Sequence, residues 1–230
     1  MKDFSKLEKK IDVSFKNQNL LKQALVHRSY LNENPDFPLP HNERLEFLGD
    51  AVLELAVTEF LYNNYPNPEG DLTNFRAGLV NTKMLAKVAL RLGLNDYLYL
   101  SRGEAKDIDT KARQTILANT FEAVIGAIYL DHGFSKCEKF IKEELIVELP
   151  DILKGHLYLD AKSKLQEIAQ DKVRVTPVYK VLEEWGPDHN RSFKIGVFFH
   201  KELIAEGTGS SKQEAQMAAA ENALQKKDWD

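Results

Sequence analysis

The amino-acid sequence predicts a multidomain chain of the α+β class, with an all-α N-terminal domain followed by a small α-β-β-β-α domain. Apolar residues recur at helical spacing through most of residues 4–149, which predicts a helical domain. After Pro150 the pattern changes to a short helix, three strands and an alanine-rich helix. We therefore expect one domain at 1–150, a linker at 151–160 and a second domain at 161–228.

The helices of the first domain are predicted from apolar spacing and from residues that end helices. Leu20, Leu21, Ala24 and Leu25 recur at helical spacing. A long helix at 42–62 is stopped by the run Asn-Asn-Tyr-Pro-Asn-Pro at 63–68. Later helical segments are predicted at 71–80, 82–92, 115–130 and 135–149.

Alternation of apolar and polar residues predicts the strands of the second domain. In the strand predicted at 192–200, Phe193, Ile195, Val197 and Phe199 alternate with the residues between them, which is the period of a half-buried strand. The other strands are predicted at 178–184 and 202–206, and Gly207-Thr208-Gly209 is expected to end the last one. Helices are predicted before and after the sheet, at 161–170 and 210–225.

Composition and charge exclude several classes of protein. No run of about 18 apolar residues is present, so neither a membrane-spanning helix nor a membrane partner is expected. The charged residues 1–10 are unlike a secretory signal, and the single cysteine, Cys137, excludes a disulfide framework or a cysteine metal cluster. A reducing cytoplasm is therefore expected. The formal net charge of −4 argues against a nucleic-acid partner only weakly, because it does not show where the charges lie.

The most informative segment is an acidic stretch in the helix predicted at 42–62. At about 100° per residue, Glu43, Glu46, Asp50 and Glu54 fall within an arc of roughly 80°, opposite an apolar face. A solvated acidic face is the simplest interpretation. Against it, no Lys or Arg is interleaved on the arc, and Phe47 lies at its edge, where solvent would favour a polar residue. Carboxylates packed together need a cation, and Mg²⁺ prefers oxygen ligands.

A second helix carries two further oxygen-bearing side chains. Asn119 and Glu122 lie three residues apart, on one face of the helix predicted at 115–130. Thr115, Ala123 and Gly126 share that face, and such small residues permit another helix to approach closely. The alternative is a core helix with one tolerated, hydrogen-bonded polar pair.

These segments resemble a known family. The run from Asn42 to Leu53, Asn-Glu-Arg-Leu-Glu-Phe-Leu-Gly-Asp-Ala-Val-Leu, is similar to the signature of ribonuclease III. Supporting similarities are His27-Arg28-Ser29-Tyr30, Glu69-Gly70-Asp71 and the segment 116–127. The resemblance covers essentially the whole chain, in the bacterial layout of an endonuclease domain followed by a double-stranded-RNA-binding domain.

The resemblance implies roles for individual residues. Glu46, Asp50 and Glu122 would bind Mg²⁺, for which Mn²⁺ is a possible substitute, and Asp50 and Glu122 would be the most critical. Glu43 and Glu69 would act at the cleavage centre or position the substrate. Phe47 would contact the partner in a homodimer whose two domains each contribute one cleavage centre.

One position departs from the family pattern. Asn119 stands where many members have Asp, and its amide oxygen brings no negative charge to a metal. Metal affinity is expected to fall or the preferred metal to change, while activity survives because three carboxylates remain nearby.

The implied function is hydrolysis of double-stranded RNA by a Mg²⁺-dependent endoribonuclease without a small-molecule cofactor. The resemblance implies 5′-phosphate and 3′-hydroxyl ends, short 3′ overhangs, and ribosomal RNA precursors and structured messenger RNA as substrates. The alternative is a binder of double-stranded RNA that does not cleave, with Asn119 marking a weakened metal site.

The predicted second domain offers polar side chains suited to an RNA minor groove. The resemblance to a double-stranded-RNA-binding domain covers its whole α-β-β-β-α pattern, although Gln213 stands where lysine is common. Residues 156–227 hold eleven Lys and Arg against ten Asp and Glu, so shape and 2′-hydroxyl contacts would matter more than charge. A generic α+β interaction domain is the alternative. The candidate RNA contacts are Ser163, Gln166, Glu167, His189, Ser211, Lys212 and Gln213.

Overall fold

The computed structural model describes residues 2–107, 110–155, 158, 160–187 and 191–229. The chain divides into two compact units, Met1–Tyr158 and Leu159–Asp230. The first unit is helical, and the second combines two helices with a three-stranded sheet, so the predicted fold class is confirmed. In the described part of the chain, no helix is both long and apolar enough to cross a membrane.

The helices of the first unit follow the predicted order. They are α1 (Ser5–Lys10), α2 (Gln18–Ala24), α3 (Arg28–Glu33), α4 (Glu43–Asn64), α5 (Glu69–Leu79), α6 (Thr82–Arg91), α7 (Lys111–His132), α8 (Phe134–Glu144) and α9 (Leu149–Lys154). Short 3-10 turns occupy Leu94–Tyr97, Glu104–Lys106 and Ile146–Glu148.

The long helix α4 ends where the sequence requires it to end. Tyr65 follows its last residue in an extended conformation, as expected for a residue that precedes a proline. The start of α7 is fixed by Thr110, whose side chain accepts a hydrogen bond from the amide of Arg113.

The core of the first unit lies along α4 and α7. Leu45 and Val52 on the apolar face of α4 are buried, as are Phe121 and Val124 of α7. The apolar faces predicted for both helices therefore face the core, and their polar faces are left for the site described below.

The helix α9 occupies the first residues of the predicted linker. Pro150 stands in its first turn, where the N–H that proline lacks would have no helical partner. Ile152 is buried in the core of the first unit, and the ring of Tyr158 packs edge-on against Phe75 at 4.9 Å between centroids. The domain boundaries given by the sequence stay a prediction.

The second unit is built as helix, sheet and helix. Its elements are α10 (Ala161–Val173), β1 (Val178–Trp185), β2 (Ser192–Phe199), β3 (Glu202–Gly209) and α11 (Lys212–Lys226). The strands are antiparallel in the order β1-β2-β3. Ile195, Val197 and Phe199 are buried on one face, as their alternation predicts.

The expectation that Gly207-Thr208-Gly209 ends the third strand is wrong. These residues continue β3, and Gly207 pairs with Ile195. A Cβ at Gly207 would lie 2.1 Å from the backbone nitrogen of Ala219, so glycine is required there because α11 packs directly on the strand. Ala215, Ala219 and Ala223 are fully buried on the facing side of α11.

Candidate active site

The site is built where α4 crosses α7 with their backbones in contact. A Cβ at Gly49 would lie 1.8 Å from the carbonyl oxygen of Glu122, and one at Gly126 would lie 2.2 Å from the carbonyl oxygen of Leu45. Two glycines therefore permit a spacing that no other residue allows. The close approach inferred from the small residues of the second helix is confirmed.

This crossing brings together the acidic side chains of two helices. The pKa of Glu122 is raised to about 7, first by burial and then by the neighbouring charges of Asp50, Glu46 and Glu54. The pKa of Glu46 is also raised, first by burial and then by Glu43 and Asp50. The carboxylates predicted from two distant segments are thus electrostatic neighbours.

Asn119 partly relieves the repulsion in this cluster. Its side chain forms a hydrogen bond with Glu46, which favours the ionised carboxylate and opposes the rise of its pKa. The amide –NH₂ is the donor, because an ionised carboxylate can only accept. An aspartate at this position would instead add another negative charge beside Glu46.

The two ends of the acidic face are paired with arginines. Glu54 is 3.0 Å from Nε of Arg76 in α5, and Arg76 also donates to Thr58 Oγ1 at 2.9 Å. At the other end, Glu43 is 3.7 Å from a guanidinium nitrogen of Arg28. Arg76 cannot be predicted as a partner of Glu54 from the sequence, because the contact depends on how α5 packs against α4.

The middle of the acidic face has no such compensation. Within the described residues, no Lys or Arg forms an ion pair with Glu46, Asp50 or Glu122. Nor do any three His, Cys, Asp or Glu side chains of that part of the chain converge closely enough to hold a metal ion. The donors at the crossing are nevertheless all oxygens, the type that Mg²⁺ and Mn²⁺ accept, and carboxylates without an ion-pair partner among the described residues fit a cation.

Glu69 lies elsewhere on the first unit. It begins α5, accepts a hydrogen bond from Thr73 Oγ1 at 3.1 Å, and shares a pocket of about 700 Å³ with Tyr62 and Arg76. Its charge does not contribute to the raised pKa of Glu122. Its role in cleavage stays a prediction.

Phe47 belongs to an exposed apolar stripe on α4. Its side chain is 81% exposed, and Leu55 and Tyr62 further along the helix are 57% and 78% exposed. Spacings of eight and seven residues keep the three side chains on one face. This stripe borders the acidic face.

A smaller pocket of about 270 Å³ adjoins the acidic cluster. Its lining includes His27, Arg28, Asn42, Glu46 and Asn119. The backbone holds this corner in place, because the amide of His27 donates to the carbonyl of Tyr99 and the amide of Asn42 donates to that of Val26. His27 and Arg28 were noted in the sequence only for their family-like segment, without a role.

Six of the seven predicted RNA contacts of the second unit lie on its two helices or at the start of one. Gln166 and Glu167 are exposed on α10, whereas Ser163 is partly buried in its first turn. Lys212 and Gln213 are exposed in the first turn of α11, and Ser211 caps that helix by accepting the amide of Glu214 at 3.1 Å. His189 lies outside the described residues. The role of these residues in RNA binding stays a prediction.

The side chain of Lys212 has two contacts within the second unit. Its ammonium group is 3.1 Å from Glu184 of β1 and lies 5.4 Å from the ring centroid of Phe193. The sequence did not single out Glu184, because it stands in a strand remote from Lys212.

Comparison with family models agrees with this division into two units. A ribonuclease-III-like family model matches residues 17–149. A model of the double-stranded RNA binding motif matches residues 161–227.

Curated relatives match along nearly the full chain. Ribonuclease 3 of Dehalococcoides mccartyi (strain 195) is 43% identical over 98% of this chain and 95% of its own length. Ribonuclease 3 of Bdellovibrio bacteriovorus is 44% identical over 96% of this chain and 94% of its own length.

A solved structure matches the helical unit. The nuclease domain of ribonuclease III from Campylobacter jejuni superposes with a TM-score of 0.54 at 39% identity, covering 62% of this chain and 98% of that domain. Together with the family models and the curated relatives, this match shows that the chain belongs to the ribonuclease III family and is an endoribonuclease that carries a double-stranded RNA binding motif.

Proposed function

We propose that the chain cleaves double-stranded RNA with Mg²⁺, at a centre formed by Glu46, Asp50, Asn119 and Glu122. The observation that carries the proposal is the cluster of carboxylates at the crossing of α4 and α7, which have no ion-pair partner among the described residues. The pKa of Glu122 is raised to about 7 there, while both ends of the acidic face are paired with arginines. A cation at this crossing would relieve the repulsion.

The residues of the centre fit the general metal dependence of the family. Asp50, Glu46 and Glu122 would supply carboxylate oxygens, and Asn119 would supply an amide oxygen. Glu122 would lose its proton as the ion binds. When bound, a divalent cation supplies a more acidic water and positive charge for the phosphate oxygens. Mn²⁺ would serve as a substitute because it accepts the same donors.

The chain's own residues orient the reaction. Asp50 and Glu122 would carry the greatest effect, as the family resemblance implies. Water attacks phosphorus and loses a proton as the new O–P bond forms. The bond from phosphorus to the 3′ oxygen breaks, and that oxygen takes up a proton, so one water is consumed for each bond cut. The products therefore carry 5′-phosphate and 3′-hydroxyl ends. Glu43 and Glu69 would position the substrate.

The exposed apolar stripe supports a homodimer. Phe47, Leu55 and Tyr62 would be covered by a second copy, since large exposed apolar side chains that share one face are typical of interfaces. For the Campylobacter jejuni protein, structural flexibility is described in a region that is involved in dimer formation of the nuclease domain. Two acidic centres beside one shared interface would cut both strands and leave short 3′ overhangs.

The second unit would hold the duplex. Polar side chains such as Ser163 and Gln166 on α10 suit 2′-hydroxyls of the minor groove, and His189 would act from the β1–β2 connection. Lys212, with Ser211 and Gln213, would contact phosphate at the start of α11. We propose ribosomal RNA precursors and structured messenger RNA in the cytoplasm as substrates.

A cleavage assay tests this function. A labelled RNA duplex is incubated with the protein with and without Mg²⁺, beside the Asp50→Asn and Glu122→Gln variants. We expect Mg²⁺-dependent cutting that both variants lose while retaining duplex binding. Binding without cutting by the unchanged protein would support a non-cleaving binder and overturn the proposal.

A further inference from the structure

The pocket of about 270 Å³ beside the acidic cluster has a mixed lining that the metal centre does not explain. Glu46 and Asn119 line the side that belongs to the centre, and His27 and Arg28 line another. Pockets for whole small ligands measure about 300–1,000 Å³. This one is therefore sized for part of a nucleotide.

Arg28 is available to a ligand. Its side chain is 72% exposed, and its separation from Glu43 is 3.7 Å. Exposed ion pairs of this kind add little stability. A phosphate can accept two parallel N–H groups of a guanidinium, which is a stronger contact. Arg28 can therefore exchange Glu43 for an RNA phosphate at small cost.

His27 lines the pocket, and its contacts define which ring nitrogen can donate a hydrogen bond. The amide of Ser29 donates to His27 Nδ1 at 3.3 Å, so Nδ1 acts as an acceptor. Ser29 Oγ, 2.8 Å from the same Nδ1, accepts the amide of Ser101 at 3.1 Å. In the neutral ring the proton then resides on Nε2. A neutral N–H donor suits a ribose hydroxyl.

From these contacts we propose that the pocket is a subsite for the ribose-phosphate unit next to the cleaved bond, with Arg28 binding its phosphate and His27 donating to its 2′-hydroxyl. The inference rests on the proposed function, because the adjoining cluster must be the cleavage centre. Arg28 and His27 then act on substrate binding and on the distinction between RNA and DNA.

The first test separates Arg28 from an ordinary surface arginine. The Arg28→Ala variant is compared with Arg91→Ala, because Arg91 is also exposed and ion-paired, with Glu144 and Glu148. We expect Arg28→Ala to raise KM about tenfold with kcat nearly unchanged. The KM of Arg28→Lys should lie between those of Arg28→Ala and the unchanged protein. The slope of log KM against log salt concentration should also decrease by about one, the amount expected when one phosphate contact is lost.

The second test probes the 2′-hydroxyl. Duplexes carry a single 2′-deoxynucleotide at each position flanking the cut, and His27→Asn is used because an Asn oxygen still accepts the amide of Ser29. The unchanged protein should cut one of these duplexes more slowly, and the variant should have lost that sensitivity.

The outcomes are distinguishable from failure of the proposed function. If Arg28→Ala behaves like Arg91→Ala on a duplex that the unchanged protein cuts, the phosphate contact is overturned alone. If His27→Asn keeps the full sensitivity, the hydroxyl contact is overturned. A duplex that the unchanged protein leaves uncut with Mg²⁺ overturns both the cleavage centre and the subsite.

Discussion

Gly49 of α4 lies directly against the backbone of Glu122 of α7, so that a Cβ added at Gly49 would be 1.8 Å from the Glu122 carbonyl oxygen. The same contact holds the two helices together and sets the spacing of their carboxylates. Stability and site geometry therefore depend on one position.

Gly49→Ala is expected to destabilise the protein by about 3 kcal/mol, because the methyl group forces the helices apart. Chemical denaturation would measure the change. Gly70→Ala is the matched control, since nothing lies within 4 Å of its added Cβ in the first turn of α5. That variant should be unchanged or gain about 0.5 kcal/mol. Equal effects at the two positions would contradict the backbone contact.

The raised pKa of Glu122 makes stability depend on pH in a defined direction. Between its ordinary value of 4.5 and about 7, the folded protein holds a proton that the unfolded chain releases. The free energy of unfolding without metal therefore falls as pH rises through this window.

Glu122→Gln should remove the part of this dependence that Glu122 contributes. At pH 8 the metal-free variant should be more stable than the unchanged protein by about 2 kcal/mol, reduced from the full shift because the side chain is partly exposed. Below pH 4.5 the advantage should vanish. Glu59→Gln, an exposed carboxylate of α4, serves as control. Thermal unfolding across pH in EDTA would check this, and an advantage that grows toward acid pH would contradict it.

Asn119→Asp should have opposite effects on the protein with and without metal. The new carboxylate replaces the hydrogen-bond donor of Glu46, so the melting temperature in EDTA should fall. The added charge should also tighten Mg²⁺ binding severalfold. Gln114→Glu, at an exposed position of the same helix, should do neither. Metal-titrated melting would measure both effects, and unchanged Mg²⁺ affinity in Asn119→Asp would count against a ligand role.

Phe47→Asp should convert a dimer into monomers. A charge placed in the middle of an apolar contact cannot be solvated there, so association should weaken by at least about a hundredfold. Leu90→Asp is the control, because Leu90 is also exposed, at 53%, but lies on α6. Sedimentation velocity would show whether each variant is a dimer or a monomer. If the Phe47→Asp variant remains dimeric, Phe47 does not lie in the interface.

Periodicity was sufficient to predict much of the fold and the acidic arc. The spacing of Glu46, Asp50 and Phe47 placed them correctly because a long helix imposes its own geometry. The pairings of Glu54 with Arg76 and of Glu43 with Arg28 could not be predicted, since they depend on tertiary packing.

The interpretation of glycine in the sequence was wrong at one position and correct at another. The sequence pattern predicts a strand end at Gly207, whereas the structure requires glycine there because α11 packs directly on β3. Gly126 was correctly interpreted as permitting a close helix contact. The same residue type marks a turn or a close approach, and sequence spacing alone does not separate the two.

The most direct test of the central claim is calorimetric titration of Mg²⁺ into the protein near pH 7, in two buffers of different ionisation enthalpy. Ion binding at the crossing of α4 and α7 should release a fraction of a proton, because Glu122 has a pKa of about 7 and must ionise to bind the metal. Glu122→Gln should abolish that release and weaken binding. Mg²⁺ binding that is equally tight in the variant and releases no proton in either protein would contradict the proposed centre.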